Sequence, residues 1–460
     1  MARTPTIQQL TALSDFFQSG ETLPYAFRRR QLINLKQAIL KYEQRFYEAF
    51  YQDLHKSKEE SWVTELGFVI AEINEALREL KRWMAPARAG TNLLNFPSVS
   101  RVVREPLGVV FIIGPWNYPF QLVIAPLVSA IAAGNCAVIK TGESAVATDN
   151  LLREMIADTF AENYIAYAQG EGAQVVPELM NQFRFDHVFF TGGTAAGKAV
   201  YQRAAEKLVP VTLELGGKSP AIVEADADIP VTARRIASTK FSNAGQMCVA
   251  VDYILVHHTR KEELLHELLK CIRAFYGDNP ELSDNYGRMI NIRQFDRVIS
   301  YFAQGTIAHG GKHERNSLYI EPTILTDVSW NDPVMREEIF GPVLPVISFT
   351  DEEGWKPLTD HHPNPLAAYI FTSSKQKQQQ WMQQLRFGGG CINNASWHLT
   401  NPELPFGGRG WSGTGRYHGR YGFETFSHPK AILKTPTWFD PKIKYPPLTG
   451  RLSLFKKFIK

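Results

Sequence analysis

A chain of 460 residues exceeds what one simple hydrophobic core holds and points to two or three domains. Its 44% apolar and 21% charged residues are the balance of a soluble globular protein, which excludes a disordered, collagen-like or disulfide-stapled chain. Fifty basic against 46 acidic side chains leave a net charge of +4, too small for a nucleic-acid-binding field, so no nucleic-acid partner is expected.

The opening Met1-Ala-Arg-Thr-Pro-Thr has no apolar run of the kind a signal peptide needs. Residues 26–84 read as long helices, because Leu32, Leu35, Ile39, Phe46, Phe50 and Leu54 recur at helical spacing with Lys, Glu and Gln between them. Pro86 closes that region, and 101–105 alternates as a strand up to Pro106. From 107 the texture changes. Strands are expected at 108–113, 135–140 and 187–191, each followed by a helix, at 121–133, 150–160 and 195–207. Such alternation implies an α/β fold with a parallel, doubly wound sheet, whose ligands bind beyond the carboxyl ends of the strands. After Pro210 the pattern resumes to about 425, with strands near 221–223 and 254–256, as a second α/β domain. The longest apolar stretch, 122–139, is interrupted by Pro126, Ser129, Gly134 and Asn135 and falls short of the roughly 18 residues of a membrane span.

Five segments carry chemistry. Thr191-Gly-Gly-Thr-Ala-Ala-Gly-Lys follows a strand and opens a helix; small residues there admit a diphosphate to the helix N-terminus. The same stretch resembles a P-loop, but Ala199 lacks the hydroxyl that would hold Mg²⁺. A bare tight turn is the plain alternative. Glu214, at an apolar strand end before two glycines, is either a buried general base or a partly exposed turn residue. Cys248 differs from Cys136, Cys271 and Cys391 in its Gly, Gln, Asn and Ser flanks. A turn entering a helix would supply amides that favour its thiolate. The four cysteines form no CxxC pair and no metal spacing, so reduced thiols in the cytoplasm and no metal site are expected. Asn117, just past a strand among prolines and aromatics, offers a fixed amide to an oxyanion. Glu338 and Phe340 could suit a ribose and a planar ring, although taken alone a turn carboxylate and a core aromatic are the favoured reading.

In this order the segments closely resemble the aldehyde dehydrogenase superfamily: PWNYP at 115–119, the strand end at Lys140, FTGG at 190–193, ELGGKSP at 214–220, GQMC at 245–248 and EEIFGP at 337–342. The short N-terminus, the sequence after Cys248 and the run from Arg416 look like the class 3 branch, which handles medium- and long-chain aliphatic and aromatic aldehydes. The resemblance implies NAD or NADP as cofactor and oxidation of an aldehyde to its acid. It makes Cys248 the nucleophile, Asn117 with the Cys248 amide the oxyanion site, and Glu214 the base that activates water. It places Lys140 and Glu143 around the adenine ribose, the turn Thr191, Gly192 and Gly193 on the pyrophosphate, Glu338 on the second ribose, and Phe340 beside it. Thr141-Gly142 replaces the family's usual Pro-Ser and leaves NAD against NADP open. Arg409, Trp411 and Met247 also depart from the usual pattern, Met247 as a candidate tunnel wall.

The resemblance further implies an NAD(P)-binding domain at 1–84 and 107–214, a catalytic domain at 215–425, and a bridging β element at 85–106 and 426–442. An exposed bridging strand needs a partner edge, which fits a homodimer. The tail 443–460 places Leu452, Phe455 and Phe458 near Lys456, Lys457 and Lys460. It suits a membrane-surface helix, a cap on the substrate entrance or a segment docked on a second subunit, and alone buries too little for stable anchoring. Rival readings are a dehydrogenase that passes the acyl group to coenzyme A, which has no need of Glu214, a P-loop ATPase, and a non-catalytic protein on the same fold.

Overall fold

Helical periodicity in the first 84 residues becomes a hairpin of long helices. A computed structural model describes residues 4–351 and 356–458, so Met1–Arg3 and Lys460 lie outside the described residues. Helix Ile7–Gln18 starts with a capping box between Thr6 and Gln9. Helix Tyr25–Leu54 buries the apolar face read from the sequence: Leu32, Leu35, Ile39, Phe46, Phe50 and Leu54 are all inaccessible. His55 takes a left-handed conformation and ends it. The chain returns through Lys58–Ser61, a π-helical turn Trp62–Leu66, and Gly67–Met84.

The first sheet has six strands in the order 413–414, Val211–Leu215, His187–Gly192, Val109–Ile113, Cys136–Lys140 and Ile165–Tyr167. All pairs are parallel except the one made by Gly413–Thr414. Helix Gln121–Ala133 is buried on every side, as its mostly apolar sequence demands. The helix expected from 150 starts at Val146 instead. Asp53, on the long N-terminal helix, accepts the Ala147 and Thr148 amides at 3.0 and 2.8 Å, a cap delivered from far along the chain.

The second sheet has seven strands, in the order Thr306–His309, Thr323–Thr326, Val343–Phe349, Tyr253–His257, Pro220–Val223, Ala367–Phe371 and Gly389–Ile392. The stretch 413–425, grouped by sequence with this second unit, lies elsewhere. Gly413 pairs with Glu214 on the first sheet, and helix Gly419–Thr425 packs on Gln121–Ala133 and Gly67–Met84. A third sheet joins Ala87–Ala89, Val99–Pro106 and Ser427–Lys434, with Ser427 opposite Pro106 and Lys434 opposite Val99. Ser427–Lys434 forms its edge and is exposed from His428 onward. Helix Leu452–Phe458 ends the described chain, and Leu452 is exposed. No described helix is long and apolar enough to cross a membrane.

Candidate active site

Segments leaving the first sheet and segments entering the second meet around a cleft of about 1010 Å³. From the first sheet come the carboxyl-end turns Pro115–Asn117, Thr191–Ala196 and Glu214–Lys218. Opposite them stand Glu337–Glu338, Phe340 and His361–Leu366, which precede strands Val343–Phe349 and Ala367–Phe371. The carboxyl-end rule therefore holds for the first sheet only; the second contributes from the amino ends of its strands.

Asn117, Thr191, Gly192, Gly193, Glu214, Cys248, Glu338 and Phe340 all line this cleft. Lys140 and Glu143 do not. They pair with each other at 2.9 Å, and Lys140 Nζ also reaches the Thr141 carbonyl at 2.9 Å. Met247 is packed against the core and is not among the lining residues, whereas the exposed Trp411 is. Arg409 is exposed and outside the lining.

Cys248 sits in a non-helical turn. The preceding residues 242–245 include Asn243 and Ala244 in the left-handed region, at φ 49° and 50°. Gly245 follows at φ 74°, where a side chain would strike the Gly341 carbonyl. The helix N-terminus expected beside the thiol is absent, and so is the activation it would bring. Burial raises the Cys248 thiol above its ordinary value, and the nearby Glu338 and Glu214 carboxylates push the same way. The Cys248 and Val249 amides oppose them without prevailing. These shifts favour the thiol over the thiolate at Cys248.

Glu214 lies in a ladder between Thr191, on a parallel strand, and Gly413, on an antiparallel one. It is buried, and neither carboxylate oxygen has a hydrogen-bond partner among the described residues. Burial alone lifts its carboxyl well above the ordinary range. Asn117 is buried too, and its Nδ2 donates to the Gln246 carbonyl at 2.9 Å. That bond settles which end of the amide is the donor.

Glu338 lies over the Gly216 backbone, leaving no room for a side chain there. Burial first, then Asp252, raises its carboxyl, against the pull of Lys218, Arg297 and Lys240. Beneath it Lys218 pairs with Asp252, whose Oδ1 accepts the Ile339 amide at 3.0 Å. Lys240 is fully buried with no partner for Nζ among the described residues, and burial pushes it down to about 8. Phe340, at φ 49°, stands edge-on to Trp116 with ring centroids 5.3 Å apart. Sequence reading passes over Lys240, Arg297 and His362, and uses Tyr417 only as a branch marker, although the last three line the cleft.

The residues present fit a dinucleotide. Helix Thr194–Glu206 has no side-chain cap, so its first amides are free to meet an anion, and the buried Thr191 Oγ1 lacks a partner among the described residues.

Comparison with known proteins agrees with this geometry. The model of the aldehyde dehydrogenase family matches residues 9–432. The chain is 44% identical over 447 residues to a 4,4'-diaponeurosporen-aldehyde dehydrogenase of Staphylococcus aureus, covering 97% of each protein. It is 41% identical to aldehyde dehydrogenase family 3 member B1 of Rattus norvegicus, over 96% of this chain and 95% of that one. A solved substrate-bound Staphylococcus aureus AldH superposes with a TM-score of 0.96 at 43% identity, covering 98% of this chain and 99% of the other.

The raised thiol gives a direct prediction. Thiolate is the form that alkylates, so the rate of Cys248 modification by iodoacetamide at pH 7 falls below that of free cysteine. It then climbs about tenfold per pH unit through pH 9 without a plateau, because the pH stays below the thiol's pKa throughout. The Cys248→Ala variant supplies the background from the other cysteines, and a plateau below pH 8 contradicts the assignment.

Proposed function

The chain belongs to the aldehyde dehydrogenase family, and on that premise we propose that it oxidises a medium- or long-chain aliphatic or aromatic aldehyde to the carboxylic acid with NAD(P)⁺, through Cys248. The convergence of Cys248, Asn117 and Glu214 on one cleft with an uncapped helix N-terminus carries this reading. The bound dinucleotide supplies the hydride acceptor. Thr191, Gly192 and Gly193 would hold its diphosphate, Glu338 would hold a ribose, and Phe340 with Trp116 would wall the ring.

Cys248 gives its proton to solvent water and its sulfur adds to the aldehyde carbon, so the carbonyl π pair moves onto oxygen. Asn117 Nδ2 and the Cys248 amide hold that oxyanion; fixed donors in a buried site are worth about 10²–10³ in rate. Loss of hydride from the resulting thiohemiacetal leaves a thioester on Cys248. Glu214 then accepts a proton from water as the water oxygen attacks, and the C–S bond breaks to release the acid and the thiol. Burial lifts this carboxyl above its ordinary range, so it gives up its proton before it serves as base, and a base with a raised pKa takes a proton from water more readily. Leu122, Phe406, Trp411 and Tyr417 give the cleft apolar and aromatic walls suited to a hydrophobic aldehyde.

Cofactor choice follows from Glu143. Despite partial burial, neighbouring amides and the Lys140 ammonium hold its carboxyl below the ordinary value, so it stays ionised and repels a 2′-phosphate. We assign NAD⁺ as the preferred cofactor, the cytoplasm as the location, and a homodimer in which the exposed edge Ser427–Lys434 meets a second chain.

Three experiments test this reading. Cys248→Ala is expected to abolish turnover and keep cofactor binding, while Glu214→Gln keeps the first burst of reduced cofactor without coenzyme A and slows later turnovers by about 10²–10⁴. Undiminished steady-state turnover in Glu214→Gln removes that residue from the mechanism. Glu143→Gln is expected to raise kcat/KM for NADP⁺ relative to NAD⁺ by about tenfold, equivalent to about 1.4 kcal/mol; an unchanged ratio refutes the repulsion. Light scattering is expected to give the mass of two chains, and a monomer at micromolar concentration rejects the edge pairing.

A further inference from the structure

A buried ion pair outside the cleft has no part in the chemistry described so far. Lys56 and Glu65 lie on the N-terminal helical hairpin, and neither side chain is accessible. Taking two charges out of water costs several kcal/mol per ion, so such a pair persists only with its remaining polar positions satisfied. Here they are. Lys56 Nζ donates to Glu65 Oε1 at 2.7 Å and to the Asn117 backbone carbonyl at 3.0 Å, and it stands 3.9 Å from the centroid of the Tyr118 ring. Glu65 Oε2 accepts the Gln121 amide at 2.9 Å. The pair thus grips residues 117–121 at both ends.

The local backbone is built for this grip. Glu65 belongs to the π-helical turn Trp62–Leu66 between two α-helical segments, and π turns widen the helix by one residue per hydrogen-bonded ring. Just before that turn, Glu60 Oε1 accepts the Ser242 hydroxyl and the Asn243 amide, both at 2.7 Å. Two glutamates of one short segment therefore hold opposite sides of the site, one the Asn117 loop and the other the turn that leads to Cys248.

Asn117 is where these grips meet. Its carbonyl accepts Lys56 Nζ and also Asn243 Nδ2, at 2.9 Å, and its side-chain Nδ2 donates to Gln246 at 2.9 Å. One amide hydrogen is committed to Gln246; the other is left for the cleft that Asn117 lines. A donor of this kind acts only when held at hydrogen-bond distance from the position the oxyanion will occupy, and a displacement near 1 Å costs about 10² in rate.

We propose that Lys56 and Glu65 are positioning residues of the reaction, fixing the Asn117 peptide so that its side-chain amide presents one hydrogen to the aldehyde oxygen. This rests on the reading of Asn117 as the oxyanion donor. Apolar side chains of similar volume often replace a buried ion pair without loss of stability, so the need for a fold does not by itself account for the pair.

The test is a mutant cycle read by the pre-steady-state burst of reduced cofactor, with NAD⁺ affinity and Tm measured on each protein. The double variant Lys56→Met/Glu65→Leu is expected to slow the burst at least about tenfold, with NAD⁺ affinity and aldehyde KM within about twofold of the parent. Asn117→Ala slows it about 10²–10³. Added to Asn117→Ala, the double replacement costs less than about twofold more, because its target is already gone. Equal factors in both backgrounds, or an unchanged burst in a folded double variant, overturns the proposal. An Asn117→Ala variant with an undiminished burst instead removes the oxyanion reading on which it stands. Should the double variant fail to fold, Lys56→Arg carries the same comparison, since it keeps a charge for Glu65 but replaces the single ammonium donor to Asn117 with a planar fork.

Discussion

Glu214 stands in a buried wall of the cleft with no hydrogen-bond partner among the described residues, and the energetics of that isolation govern the site. An ionised carboxylate left unpaired in such surroundings is costly, so the group responds by holding its proton. The same burial raises the Cys248 thiol and the Glu338 carboxyl. Addition at Cys248 and hydrolysis at Glu214 each require a proton to leave or enter a buried group, and a site that spares Glu214 a permanent partner leaves its carboxyl free to exchange one.

Such a site needs walls that do not relax around it. Glu214 is held in a ladder between Thr191 and Gly413, so the strand that carries the dinucleotide turn also sets the base. The second sheet supplies Glu338 and Phe340 from the amino end of Val343–Phe349, and the backbone just after Glu338 is anchored where the Ile339 amide meets Asp252. Neither sheet alone carries both the base and the ribose carboxylate. The packing of the two sheets, rather than any single loop, brings the reacting groups together.

How much of this the sequence makes legible depends on whether the signal is local. The apolar stripe from Leu32 to Leu54 and the mostly apolar run Gln121–Ala133 are local patterns, and the structure buries both. Asn117, Glu214 and Cys248 stand out because polar residues among glycines and prolines at strand ends make poor core. Lys56 and Glu65 do the opposite. They sit among charged residues of an amphipathic pattern and look like a solvated helix face; only the π turn and the distant Asn117 carbonyl show that they are buried. The start of the helix at Val146 was hidden for the same reason, since its cap comes from Asp53. The raised thiol of Cys248 comes first from burial and then from carboxylates of two other segments, so no reading of its flanking residues reveals it.

The turn before Cys248 shows why position prevails over activation. Asn243 and Ala244 are both left-handed, a conformation that costs an L-residue roughly 1–2 kcal/mol each. Buried hydrogen bonds offset that cost. Glu60 takes the Asn243 amide, the Asn243 side chain reaches the Asn117 carbonyl, and Gln246 Nε2 donates to the Asn243 and Arg288 carbonyls while its Oε1 accepts the Ile290 amide. A helix begun at this point would give the sulfur a stabilising dipole, but helical dihedrals at 243 and 244 are incompatible with the observed turn and with the bonds it makes to Asn117. The chain gives up electrostatic help for the thiolate and gains a rigid connection between the nucleophile's loop and the oxyanion donor. For a reaction whose first intermediate needs sulfur and donor at opposite ends of one carbonyl bond, fixing their separation is the more demanding requirement, because a proton can leave the thiol on demand while a misplaced donor stays misplaced.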